Sequence, residues 1–126
     1  MAATHRVLVV EDDDLSFQLV RQILSKLPLD IVNASTGAQA VEILKREVPD
    51  LLLLDITLPD MRGWDVLDQF KNDERLKRSH IIVLTGHDSP VHRLIGSLQD
   101  VAIYLNKPVK ADELRQKIRE LLNLDA

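Results

Sequence analysis

Four short stretches of the chain are apolar at every position: Val7–Val10, Leu51–Leu54, Ile81–Leu84 and Ile103–Leu105. Strands with no polar alternation suit a parallel sheet buried on both faces. A weaker fifth stretch, Ile31–Ala34, reads as an edge strand. Between them, apolar residues recur at helical spacing. Leu15, Leu19, Val20, Ile23, Leu24 and Leu27 form the first stripe, and Pro28 stops it. Ala40, Val41, Leu44 and Val48 form the second, where Thr36 and Gln39 are placed to make a capping box. Val66, Leu67 and Phe70 make a short third. Val91, Leu94, Ile95 and Leu98 make a fourth, with Ser89 as N-cap and Pro90 in the first turn. Leu114, Ile118 and Leu121 make the fifth, and Asp112 and Glu113 sit in its first turn, where the helix dipole favours acids. The resulting βαβαβαβαβα order predicts an α/β fold, a doubly wound five-stranded parallel sheet with right-handed crossovers.

The length of 126 residues fits one domain, and residues 1–126 are read as a single unit without linker or repeat. The absence of cysteine excludes a disulfide framework, a Cys-ligated zinc or iron–sulfur site and a thiol nucleophile. Aromatics are only 3% of the chain and the net charge is −4, which argues against base stacking and phosphate-backbone binding. No apolar run approaches a membrane span, and a cytoplasmic protein is expected. The acidic excess lies in the first half of the chain, which carries Glu11-Asp12-Asp13-Asp14.

Ligands of open α/β sheets bind beyond the carboxyl ends of the strands. The residues just after each strand therefore matter most. Glu11 to Asp14 come after the first strand, Asp55 after the third, Thr85-Gly86 after the fourth and Asn106-Lys107-Pro108 after the fifth. Folding gathers these loops on one rim, with at least three carboxylates, a hydroxyl and an ammonium. Crowded carboxylates repel one another unless a cation joins them. A hard divalent ion such as Mg²⁺ takes a few carboxylates, keeps waters and accepts a phosphate. Such a rim suits phosphoryl transfer to an aspartate. Asp13 and Asp14 are better read as helix-capping acids than as ligands.

Four segments, Val7-Leu-Val-Val-Glu-Asp-Asp, Asp50-Leu-Leu-Leu-Leu-Asp-Ile-Thr-Leu-Pro-Asp-Met-Arg-Gly, Ile81-Ile-Val-Leu-Thr-Gly and Tyr104-Leu-Asn-Lys-Pro, resemble in sequence and order the receiver domain of two-component response regulators, single-domain chemotaxis regulators included. The resemblance covers about residues 5–124. It implies a flavodoxin-like strand order 2-1-3-4-5, and Asp55 as phosphoacceptor. Glu11, Asp12 and Asp55 would hold Mg²⁺ together with the backbone carbonyl of Thr57. By the same resemblance Thr85 is the switch hydroxyl, Lys107 the phosphoryl partner before a cis proline, and Tyr104 the switch aromatic. His87 and Thr57 border the pocket and would tune access of water or donor. The implied partners are a sensor histidine kinase or histidine phosphotransfer protein, and an output protein on the surface of the fourth predicted helix, fifth strand and fifth helix. The implied role is a non-enzymatic signalling switch that catalyses only its own phosphotransfer and dephosphorylation.

The sequence departs from the family pattern at Arg62, where an acid is usual, at Gly86, at Ser97–Ile103, which lacks a Gly-Ala pair, and at Val109, where an aromatic is frequent. These departures bear on the output surface and remove no chemical group from the rim. Three other readings stay open. An FMN module would use the same fold, but its phosphate loop would not be Glu-Asp-Asp-Asp. An aspartyl phosphatase needs a second Asp two residues after the first, and Thr57 stands there. An unphosphorylated interaction module on this fold needs none of the rim chemistry. Trp64 reads as a packing or surface residue whose fluorescence reports on the nearby Asp55.

Overall fold

The computed structural model describes residues 5–86 and 101–124. Its sheet has five parallel strands, β1 (His5–Val10), β2 (Leu29–Ala34), β3 (Leu51–Asp55), β4 (His80–Thr85) and β5 (Ile103–Asn106), in the order β2-β1-β3-β4-β5. Helices α1 (Asp14–Leu24), α2 (Gly37–Arg46), α3 (Gly63–Asp68) and a C-terminal helix (Ala111–Leu122) cover it, with a short 3₁₀ turn at Leu76–Arg78. The fourth predicted helix, with His87 and His92, lies outside the described residues.

The uninterrupted apolar strands are explained by two cores, one on each face. Leu8, Val10, Leu52, Leu54, Ile81 and Val83 pack against residues of α2 and α3. Their strand neighbours Val7, Val9, Leu51, Leu53, Ile82, Leu84 and Leu105 pack against α1 and the C-terminal helix. Since successive side chains point to opposite faces, the residues between the ends of a central strand must all be apolar. Leu51 to Leu54 are fully buried for this reason. The edge strand β2 is only partly covered, and Val32 is exposed there.

Two local expectations are corrected. Leu15 and Leu19 do not belong to the buried stripe of α1; they are 79% and 51% exposed. The buried arc is set by Val20, Ile23, Leu24 and, just beyond the helix, Leu27. At about 100° per residue, Leu15 and Leu19 fall roughly 130° and 90° from the centre of that arc. At α2 the Thr36 hydroxyl accepts the Gln39 N–H at 3.1 Å as expected, but the Gln39 side chain accepts from the Ser35 N–H at 2.8 Å and not from Thr36. Ser35 rather than Thr36 thus closes the box. Asp13 is the N-cap of α1, accepting the Ser16 N–H and hydroxyl.

Candidate functional site

Among the described residues, the buried polar or charged ones are Glu11, Asp55 and Thr85. All three lie where strands end. Glu11 directly follows β1, and Asp55 and Thr85 are the last residues of β3 and β4. Acids are seldom buried without partners, and here the partner arrives from β5. The Lys107 N–H donates to the Thr85 carbonyl at 2.7 Å, which extends the β4–β5 ladder beyond Asn106 and delivers the lysine to the rim. The peptide bond from Lys107 to Pro108 is cis. Lys107 Nζ donates to Asp55 Oδ2 at 3.0 Å and to Glu11 Oε1 by a short contact, so one ammonium bridges two carboxylates.

Asp12 completes the cluster from the exposed side. One carboxylate oxygen from each of Glu11, Asp12 and Asp55 lies within 4.8 Å of the others. Mg²⁺ prefers oxygen donors at about 2.0–2.1 Å and keeps several waters. Three carboxylates so close, with one of them facing solvent, fit that donor set. The exposed Thr57 lies two residues beyond Asp55 and its N–H donates to Asp55 Oδ1 at 3.0 Å. That bond leaves Oδ2 to Lys107 and orients the carboxylate at both oxygens.

The protonation balance comes from burial. Loss of solvent pushes the Glu11 carboxyl up, the Lys107 hydrogen bond opposes this and the Asp55 charge adds to it, with the result near 6. Burial by itself would lower the Lys107 ammonium, but hydrogen bonds to Glu11 and Asp55 outweigh it and hold the group above its ordinary value. Lys107 is therefore a fixed positive charge at neutral pH, whereas Glu11 titrates within reach of it.

The backbone on either side of the site is tied down. The Glu11 N–H donates to the Ala34 carbonyl at 2.9 Å, and the Asn33 side-chain amide donates to the Val9 carbonyl at 3.0 Å. After Asp55 the chain turns back on itself. Thr57 and Arg62 form an antiparallel bridge, and the Gly63 N–H donates to the Ile56 carbonyl at 2.7 Å. A β-carbon on Gly63 would lie 2.6 Å from the Asp55 carbonyl oxygen and 3.0 Å from Ile56 Cα, so only glycine fits beneath the loop.

The structure thus brings Glu11, Asp12, Asp55, Thr85 and Lys107 to one rim, with Thr57 beside them. Tyr104 is half-buried and packs against the core cluster that contains Trp64 and Val83. Trp64 itself is only 3% exposed, which settles it as a packing residue. Asn33 and Asp60, whose side chains hold backbone groups of neighbouring segments, are not among the residues singled out in the sequence. A polar Asn at the strand position opposite Val9, just after the apolar Ile31 and Val32, was a usable signal. Asp60 gave none, because its partners lie across a long stretch of chain.

The sequence model of the response regulator receiver domain matches residues 7–119. Luminescence regulatory protein LuxO of Vibrio campbellii is 38% identical over 121 residues, covering 90% of this chain but 25% of that protein. The chain thus spans about a quarter of the length of that relative. Chemotaxis protein CheY of Bacillus subtilis is 35% identical over 121 residues, covering 94% of this chain and 98% of CheY. Among solved structures, the receiver domain of a sensor histidine kinase from Pseudomonas aeruginosa, with a magnesium ion coordinated in its active-site cleft, superposes with a TM-score of 0.85 at 26% identity, covering 96% of this chain and 99% of that one. Receiver domains are signalling domains of two-component systems rather than classical enzymes.

Proposed function

Since this chain belongs to the response regulator receiver domain family, we propose that its phosphorylation-dependent switch works through Asp55, with Glu11, Asp12, Asp55 and the Thr57 backbone carbonyl holding Mg²⁺. The observation that carries this reading is the single ammonium of Lys107 bridging Glu11 and Asp55, with Asp12 alongside. No other described cluster of acids is so arranged.

An Asp55 carboxylate oxygen attacks the phosphorus of a phosphohistidine. The phosphorus–nitrogen bond breaks, the imidazole leaves, and an acyl phosphate remains on Asp55. Mg²⁺, when bound, supplies charge neutralisation on the phosphoryl oxygens. Lys107, already on Asp55 Oδ2, needs only a small movement to pair with a phosphoryl oxygen. Thr85, buried at the end of β4, supplies a hydroxyl to that group, and Tyr104 follows it in the rearrangement. Attack by water on the same phosphorus breaks the phosphorus–oxygen bond, returns the Asp55 carboxylate and releases phosphate. Thr57, exposed beside Asp55, tunes that step together with His87, which lies outside the described residues.

The donor is a sensor histidine kinase or a histidine phosphotransfer protein, and the exposed Leu15 and Leu19 offer it an apolar contact on the helix that begins just after Asp12 and Asp13. The output partner binds the face that includes β5 and the C-terminal helix. The whole chain acts as one receiver unit. Among the described residues no helix is long and apolar enough to cross a membrane.

With Mg²⁺ and a small phosphodonor such as acetyl phosphate, the wild-type chain should gain one acid-labile phosphoryl group and Asp55→Asn none. Full labelling of Asp55→Asn would remove Asp55 as the acceptor.

A further inference from the structure

The chain between Asp55 and α3 is pinned at both ends, and its tip carries Asp60. Both Asp60 carboxylate oxygens accept backbone N–H groups of another element: Oδ1 from Gly37 at 2.8 Å and Oδ2 from Ala38 at 2.9 Å. These are the first two residues of α2. A helix leaves its first N–H groups without intrahelical acceptors. At α2 the local cap, Thr36, takes the Gln39 N–H, and Asp60 takes the two that remain ahead of it. An acid at a helix N-terminus is also favoured by the dipole. The Gly37 and Ala38 N–H groups hold the Asp60 carboxyl below the usual carboxylate range, so it stays charged at neutral pH. Met61 reinforces the grip. A β-carbon on Gly37 would lie 2.3 Å from Met61 Cγ, so the missing side chain is the space in which Met61 packs.

Helix capping alone would not require an acid from this loop. The position of the helix start explains the choice. The α2 N-terminus comes after β2, and Ala34 at the end of β2 accepts the Glu11 N–H. The other end of the grip is the loop whose Thr57 N–H holds Asp55 Oδ1. Asp60 therefore closes a circuit. It runs from Glu11 to Ala34, through the β2–α2 junction to Gly37, across to Asp60, back through Thr57 to Asp55, and by Lys107 to Glu11. Without Asp60, the hydrogen bonds at the base of the loop still hold Gly63 to Ile56, but the tip beyond Thr57 loses its polar anchor on α2.

We infer that Asp60 is a positioning residue for the phosphoacceptor site: its two-pronged hold on Gly37 and Ala38 sets the loop that carries Thr57, and so fixes Asp55 relative to Glu11 for Mg²⁺. This rests on the metal and acceptor roles proposed above. Groups that orient ligands from one layer out commonly change metal affinity strongly when removed.

The test compares Asp60→Ala with Thr36→Ala, which removes a capping bond from the same helix end but leaves the circuit closed. Mg²⁺ affinity is measured by calorimetry, and hydrogen exchange of the Thr57 and Gly63 amides is measured in metal-free protein. Asp60→Ala should weaken Mg²⁺ binding roughly tenfold and speed the Thr57 amide, while the Gly63 amide, still held by the Ile56 carbonyl, keeps its rate as the internal reference. Thr36→Ala should do neither. Asp60→Asn, which keeps one acceptor oxygen, should fall between Asp60→Ala and wild type. Unchanged Mg²⁺ affinity in Asp60→Ala overturns the inference, and so does a Thr36→Ala protein that matches it in both readouts. Failure of the wild-type chain to bind Mg²⁺ would instead overturn the parent reading, and the exchange of Thr57 relative to Gly63 then decides for or against the clamp by itself.

Discussion

The two ends of the sheet are built from the same apolar strands but carry charge in opposite ways. At the end where the strands begin, charged groups stay in water. Arg6 pairs with Glu47, and both side chains are about half exposed. Asp50 is exposed and does backbone work: its carboxylate accepts the Arg6 N–H at 2.8 Å, its N–H donates to the Arg6 carbonyl, and its own carbonyl accepts the His80 N–H. Each of these contacts aligns strands. At the end where the strands finish, Glu11 and Asp55 are buried against Lys107. Burying charge costs far more than pairing it at the surface returns. A fold that needs only alignment meets the need cheaply, as the first end does. The expense at the second end marks chemistry.

The sharpest way to break this contrast is to neutralise one acid at each end. Asp55→Asn should lose all phosphorylation by a small donor, while Asp50→Asn should keep it, as intact-mass measurement will show. Equal labelling of the two would erase the distinction.

Glycine substitution sharpens the contrast within the second end. Gly63→Ala forces a methyl group against the Asp55 and Ile56 backbone. It should cost about 1–3 kcal/mol in urea unfolding, the usual range for overpacking, and slow phosphorylation. At Gly86 a β-carbon would meet nothing within 4 Å, so Gly86→Ala should leave stability nearly unchanged. The smallest effect belongs to the first end. Arg6→Ala or Glu47→Ala should shift stability by less than about 1 kcal/mol, as exposed ion pairs do, and leave phosphorylation alone.

How much of this was legible in the sequence depended on the range of the interaction. Val7–Val10 and Leu51–Leu54 declared central strands because burial on two faces leaves no room for alternation. Glu11, Asp55, Thr85 and Lys107 could be placed together because a parallel sheet puts all its strand ends on one rim. Leu15 and Leu19 misled, since spacing shows that residues share a helix face but not which arc the sheet covers. Trp64 stayed ambiguous for the same reason. Asp60 and Gly37 were invisible. Their hydrogen bond joins a loop to the start of a helix, which no periodicity relates, and only the folded backbone brings them together.

Glu11 offers the most direct test of the charge cluster. Its pKa in the folded chain, near 6, lies above the ordinary 4.5. The metal-free fold thus binds more protons there than the unfolded chain, and the stability this contributes is full below about pH 4.5 and lost as pH rises to about 6. Mg²⁺ needs the carboxylate, so its binding must expel the proton. Titration calorimetry with Mg²⁺, repeated in buffers of different ionisation heat, counts protons released per ion. One Mg²⁺ per chain is expected, with about half a proton released near pH 6, almost none at about pH 8, and no release from Glu11→Gln. Binding that is absent, or equally tight from about pH 5 to 8 with no proton released, would contradict a metal site built on Glu11, Asp12 and Asp55.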